Sequence, residues 1–140
     1  MADIVCVVTK IAIIRPDEAE IYPIVAAEDV TAGQTAYQVG TSGKYGISGA
    51  AAAGKQQARG IFLQSAKAGQ AVDLLKKGLC AGFTIIQNYD TRVFLSNTLG
   101  AVADAAGTLS VPCGRVAGMS DAPYFTKVIY FEFDWTAQWA

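Results

Sequence analysis

Histidine is missing from all 140 residues. That removes the usual general base, the Ser-His and Cys-His nucleophile pairs, and the commonest ligand for transition metals. Charge is scarce as well: Asp, Glu, Lys and Arg make up 16% of the chain, against about 25% in ordinary soluble domains. The surface must therefore be finished largely with Gly, Ala, Ser, Thr, Gln and Asn. The 11 basic residues are scattered and the net charge is -1, so no basic face exists to release counterions from nucleic acid, and no nucleic acid partner is expected. Three cysteines, Cys6, Cys80 and Cys113, stand far apart without a CxxC pair. They read as buried free thiols rather than as a zinc or redox site. No apolar run approaches the ~18 residues of a membrane-spanning helix. The opening "MADIVCVVTK" carries Asp3 where a signal peptide would be basic, so a cytosolic chain without a membrane partner is expected unless it is packaged into something larger.

What is present is strand signal. "KVIYFEFDW" alternates so that Ile129, Phe131, Phe133 and Trp135 share one face and Val128, Tyr130, Glu132 and Asp134 the other. "DIVCVV" and "KIAII" are short β-branched runs near the N-terminus. "TAYQVG", "KYGIS", "GIFLQS", "AVDLL", "GFTIIQ", "RVFLS" and "LSVPCGRVAG" follow at the spacing and with the Gly, Asn and Ser punctuation of a small barrel or sandwich. The fold class is therefore mainly β, a small β-barrel or sandwich-like domain with one or two short helices. Residues 1–30 form an N-terminal extension, an arm or strands suited to inter-subunit contact, and residues 31–140 the barrel-like domain. Helix is expected in "PDEAEIY", where Pro16 suits a first turn and Asp17, Glu18 and Glu20 suit its dipole, and Pro23 limits it to about two turns. Order of turn chemistry also repeats between residues 31–66 and 90–121, and "AGQTAYQV" from Ala32 recurs as "AGQAVDLL" from Ala68.

The stretch "GAAAAGK", Gly49–Lys55, fits the GxxxxGK pattern of phosphate-binding loops. Gln56 stands where a Mg²⁺-binding hydroxyl belongs, the preceding "KYGIS" is too short for a buried parallel strand, and Gly60 would stop any helix after a couple of turns. Ala50–Ala58 reads as a short surface helix or turn with Gly60 as its C-terminal stop. Asp17, Glu18 and Glu20, and Asp121, Glu132 and Asp134, lack the spacing of a calcium loop and read as solvated charge. No catalytic residue, metal or cofactor is expected. Trp135 and Trp139, with Phe131 and Phe133, form either core, a protein interface or a stacking platform. Trp139 stands one residue from the last, where a monomer covers it with difficulty.

From about Thr31 to Asp134 the order of motifs resembles the head-decoration, or capsid cement, proteins of tailed bacteriophages. The pieces are Ala32-Gly33-Gln34, Ala50–Ala53, "ARGIFLQSA", Ala68-Gly69-Gln70-Ala71-Val72, Gly78, "RVFLSNTLGAVADAAGTLSVPCGRVAGMSD" and "TKVIYFEF". The resemblance covers roughly three quarters of the chain. It implies a compact β-barrel-like domain, no catalysis, and attachment to the outer surface of the expanded head. The major capsid protein and sister copies are then the expected partners, as a trimer or alternatively a dimer, with assembly in the host cytoplasm. "MADIVCVVTKIAIIRPDEAEIYPIVAAEDV" matches no general pattern of the family, and "DLLKKGLC" is more charged than usual for it. Interface candidates are Trp135, Trp139, Phe131, Phe133, Ile4 and Val5. A head-fibre base or tail component, or a β-barrel that binds a small ligand or glycan, is the alternative.

Overall fold

The structure, a computed structural model, describes residues 2–51, 53–121 and 124–139, with side chains described outside 120–126. In chain order the strands are β1 (Asp3–Cys6), β2 (Ala12–Ile14), β3 (Glu20–Val25), β4 (Thr35–Gln38), β5 (Tyr45–Ile47) and β6 (Ala58–Phe62). They continue as β7 (Ala71–Ala81), β8 (Phe83–Thr84), β9 (Arg92–Leu95), β10 (Val102–Ala103), β11 (Pro112–Asp121) and β12 (Tyr124–Glu132). The mainly β expectation holds. Helical geometry among the described residues is confined to single 3-10 turns at Val8–Lys10 and Pro16–Glu18.

The helix expected in "PDEAEIY" is therefore corrected. Pro16 does begin a turn, but Arg15 before it is left-handed (φ 57°) and clamps Glu18 at 2.9 Å, and the chain is already extended at Ala19. Residues 20–25 become an edge strand, which tolerates Pro23 because an outward-facing N–H is not needed by the ladder. Of the helix or turn expected at Ala50–Ala58, the described residues take the turn, and Ala58 already begins β6. Gly60 does not stop a helix; it lies inside β6, where a Cβ would sit 2.6 Å from Leu74 Cγ and 2.7 Å from the Leu75 carbonyl oxygen. A side chain would block the approach of β6 to β7.

The strands form one antiparallel sheet along the path β5-β4-β6-β7-β12-β11-β9-β10-β1-β8, with β2 and β3 added to the free side of β7. Because β8 follows β7 across Gly82 (φ 112°) and pairs with β1, the far end of the path curls back toward β7. Residues 1–30 supply β1, β2 and β3 to this same sheet; β1 is bracketed by β10 and β8. The larger core fills the curl and includes Ile61, Leu75, Leu95, Val116, Ile129, Phe131 and Phe133. A smaller one, with Ala36, Tyr45, Phe62 and Leu74, lies beneath β4–β7.

The repeated order noted between residues 31–66 and 90–121 has a structural counterpart. β4 lies between β5 and β6 as β9 lies between β10 and β11. Tyr37↔Gly46 and Gln38↔Tyr45 in the first set correspond to Phe94↔Ala103 and Leu95↔Val102 in the second. Both sets are interrupted by a bulge at the same point, between Ala36 and Tyr37 in one and between Pro112 and Gly114 in the other. The β4–β5 connection is a tight turn closed by Val39 N–H to Lys44 O (2.7 Å) and Gly43 N–H to Val39 O (2.9 Å).

Candidate interaction surface

Beyond β12 the chain keeps the ladder for one more residue, with Phe133 N–H donating to Lys76 O at 3.0 Å. It then turns at Asp134, whose Oδ1 accepts from Thr136 N–H (2.9 Å) and Thr136 Oγ1 (2.7 Å). Those bonds hold the Asp134 carboxyl below the usual carboxylate range. The segment after the turn is strapped to β6 and the residues before it. Arg59 donates from Nη1 to Asp134 O (2.8 Å) and from Nη2 to Ala137 O (2.9 Å). Gln57 accepts from Trp139 N–H at 3.0 Å and, with Gln56, donates to Trp139 O. The Arg59 guanidinium also lies 5.5 Å from the Trp139 ring centre.

This strap fixes Trp135. Its Nε1 donates to Arg59 O at 2.7 Å, Tyr22 on β3 meets its ring at 4.9 Å with a 39° tilt, and Lys76 Nζ lies 5.5 Å from the ring centre. Trp135 is nevertheless 37% exposed, Tyr22 38%, and Val25 on the same strand 37%. Apolar area left in water at a position already held by a hydrogen bond and ring contacts is suited to a partner, because little side-chain freedom remains to be lost on binding.

Beside the aromatic pair lies a charged cleft of about 400 Å³ lined by Glu20, Lys76, Lys77, Glu132, Trp135 and Thr136 among others. Lys77 stands opposite Glu20 on one neighbouring strand and opposite Glu132 on the other. Hydrogen bonding to Glu132, 3.3 Å away, holds its ammonium above the ordinary lysine range. Lys76 meets Glu20 at 3.6 Å. The cleft thus offers paired charges of both signs around an aromatic edge.

The structure separates the six interface candidates. Phe131 and Phe133 are buried and stacked at 5.7 Å and 13°, and Ile4 is 3% exposed, so these three are core residues and not surface anchors. Their alternation identified a shared face, and that face is turned inward. Trp139 is half-buried against the larger core, with Arg59 at its ring and its backbone held by Gln56 and Gln57 of the same chain. Val5, 60% exposed on β1, and Trp135 remain on the surface. Tyr22, Lys76 and Arg59 were missed by sequence reasoning, since Tyr22 fell in an expected helix and the Arg59 contacts join residues 75 or more positions apart.

The chemistry left to other groups is limited. Gly49–Lys55 closes on itself, Gly49 N–H donating to Lys55 O at 3.1 Å, and leads into β6 instead of a helix, so it lacks the helix N-terminus that a phosphate loop uses. Burial pushes the Cys80 thiol up to about 12 and raises Cys6 and Cys113 as well, which keeps all three protonated and poorly nucleophilic at neutral pH. Glu18, Glu20 and Glu132 are each paired with a cation. Among the described residues no group of three or more acidic or cysteine side chains is placed to hold a metal ion; the Asp121 side chain lies outside them. No protein-family model matches the chain, and neither the curated proteins nor the solved structures give a match.

Proposed function

We propose that this chain is a non-enzymatic decoration, or cement, protein of a tailed-phage head, which binds the outer surface of the expanded shell at capsomer junctions. The order of motifs from Thr31 to Asp134 supports the reading. The observation that carries it structurally is the pre-ordered, partly exposed Tyr22–Trp135 pair, since such anchors dominate the energy of protein interfaces. The major capsid protein and sister copies are the partners, with a trimer on local three-fold axes favoured over a dimer.

Contact at β3 is made through side chains. Pro23 removes a donor from this edge strand, and a proline on an edge discourages addition of a foreign strand. Stabilisation follows from mass action: a ligand for the expanded lattice alone, present at 100 times its dissociation constant, contributes about 2.7 kcal/mol per site. Summed over the many sites of a shell, this opposes the outward pressure of packaged DNA.

Co-sedimentation with expanded heads stripped of decoration protein, and with unexpanded proheads as control, tests the proposal. Saturable binding to expanded heads alone, weakened at least tenfold by Trp135→Ala, is the expected result. Equal binding to both particles, or to neither, rejects the cement role. Wild-type binding by Trp135→Ala rejects the aromatic anchor while leaving the role intact.

A further inference from the structure

The recurring Ala-Gly-Gln found its counterpart in space. Gly33 (φ 90°) and Gly69 (φ 85°) take the same left-handed turn. In the first turn Gln34 Oε1 accepts from Thr31 N–H at 2.9 Å and Gln34 N–H donates to Thr31 O. In the second Gln70 Oε1 accepts from Lys67 N–H at 2.8 Å and Gln70 N–H donates to Lys67 O. Each glutamine side chain thus closes its own turn in the same way.

The two turns also bind each other, and every bond has a mate 36 residues away at both ends. Gly33 N–H donates to Phe62 O (2.7 Å) and Gly69 N–H to Ala26 O (2.8 Å). Phe62 N–H donates to Gln34 O and Ala26 N–H to Gln70 O, both at 2.9 Å. Ala32 N–H donates to Ser65 Oγ (3.1 Å) and Ala68 N–H to Asp29 Oδ1 (2.9 Å). Val30 and Ala66, equivalent under the same shift, exchange bonds with each other at 2.8 and 3.0 Å. The ladders on either side obey the shift: Thr35↔Ile61 and Ala36↔Gly60 correspond to Ala71↔Val25 and Val72↔Ile24.

We infer that residues 24–36 and 60–72 are two copies of one β-turn-β unit that clasp each other about a pseudo-two-fold axis through Val30 and Ala66; the shared register ends there, since Tyr37 meets Ala58 past a bulge while Asp73 meets Pro23 without one. A chance likeness of turns would reproduce the bonds inside each turn. It would not reproduce reciprocal bonds between them, since these require the two strands around each turn to keep the same register. Sequence identity has decayed to the three residues the turn geometry demands, Ala, Gly and Gln, while Asp29 and Ser65 supply one acceptor by different chemistry. The surroundings have diverged too: the first turn is buried against Cys6 and Ile11 and the second faces solvent. A copy lying in water keeps the geometry because its mate holds it.

Equivalence makes Asp29 and Ser65 exchangeable, which the full-length chain tests directly. The double exchange Asp29→Ser with Ser65→Asp is expected to hold Tm within about 2 °C of the parent, because each position keeps a side-chain acceptor and the exposed Asp29–Lys67 pair it loses is worth little. Asp29→Ala and Ser65→Ala are each expected to lower Tm by about 2–6 °C, as loss of a capping acceptor does. An exchange as damaging as the double alanine variant, or alanine variants that cost nothing, overturns the inference. Amide exchange of the wild type gives a second test without mutation. Gly69 N–H, although on an exposed turn, is expected to be protected at least a hundredfold; exchange at the rate of an open loop overturns the clasp.

Discussion

Gly60 and Gly114 occupy the same place in two different ladders. Each follows the bulge of its own strand set, and a Cβ on either would run into the backbone of the next strand: the carbonyl of Leu75 for Gly60, that of Tyr130 for Gly114. Neither has a positive φ, so the requirement is for closeness and not for backbone freedom. Gly60→Ala and Gly114→Ala should each cost about 1–3 kcal/mol by overpacking, read as a lower urea midpoint with an unchanged slope. Gly40→Ala, with open space around it, serves as the control and should leave the midpoint where it was.

Arg59 joins β6 to the segment after β12 through two carbonyls, so Arg59→Ala should release that segment. The expected signs are a red shift in tryptophan emission and new protease cleavage beyond Phe133, with about 1–2 kcal/mol lost for charge-assisted hydrogen bonds at a half-exposed site. Arg59→Lys should recover little, because one ammonium does not span carbonyls of Asp134 and Ala137 as a planar fork does.

Stability should fall in acid. Backbone N–H bonds from Ala68 to Asp29 and from Ala2 to Asp104, and the Thr136 bonds to Asp134, hold these carboxyls below their ordinary value of 3.8 in the folded chain. Their contribution is complete above the unfolded pKa and is lost as pH falls through the folded one, since the unfolded chain then binds more protons. The urea midpoint should be flat from pH 7 to about 5 and decline below that. Replacing all three by Asn should flatten the decline; an unaltered slope would assign it to other carboxylates.

The thiols should separate by exposure. Cys6 is only half-buried, whereas Cys80 and Cys113 are fully covered. In the native protein at pH 8, mass spectrometry after alkylation should find modification at Cys6 first, with Cys80 and Cys113 reacting only on unfolding. Early labelling of Cys113 would show that the core opens locally.

The strands were legible where alternation and turn chemistry agreed, as in β12, whose Ile129, Phe131 and Phe133 line the core together. β3 was not, because Pro16 followed by acidic residues imitates a helix start, and only pairing with β7 reveals an edge strand that accepts Pro23. β7 runs on through Lys76, Lys77 and Gly78 for a similar reason: strands on both sides and paired carboxylates outweigh the weak β-propensity of those residues. The surface was harder still. Alternation groups Phe131, Phe133 and Trp135, yet which of them meets solvent depends on where β12 ends and on the distant Arg59. The Ala-Gly-Gln repeat was visible as letters, while the register that gives it meaning exists only between strands.

The tight turn joining β4 to β5 offers a practical use. Val39 and Lys44 close it from below, and a Cβ at Gly40 would meet no atom within 4 Å. Extra residues placed between Gly40 and Ser42 would extend into open solvent while the hydrogen bond beneath them stays made, and exposed loop tips of this kind tolerate insertion well. The chain can therefore carry a foreign epitope there. If the shell-binding role holds, a purified particle would take up that epitope by simple mixing, at one regular spacing over its whole surface.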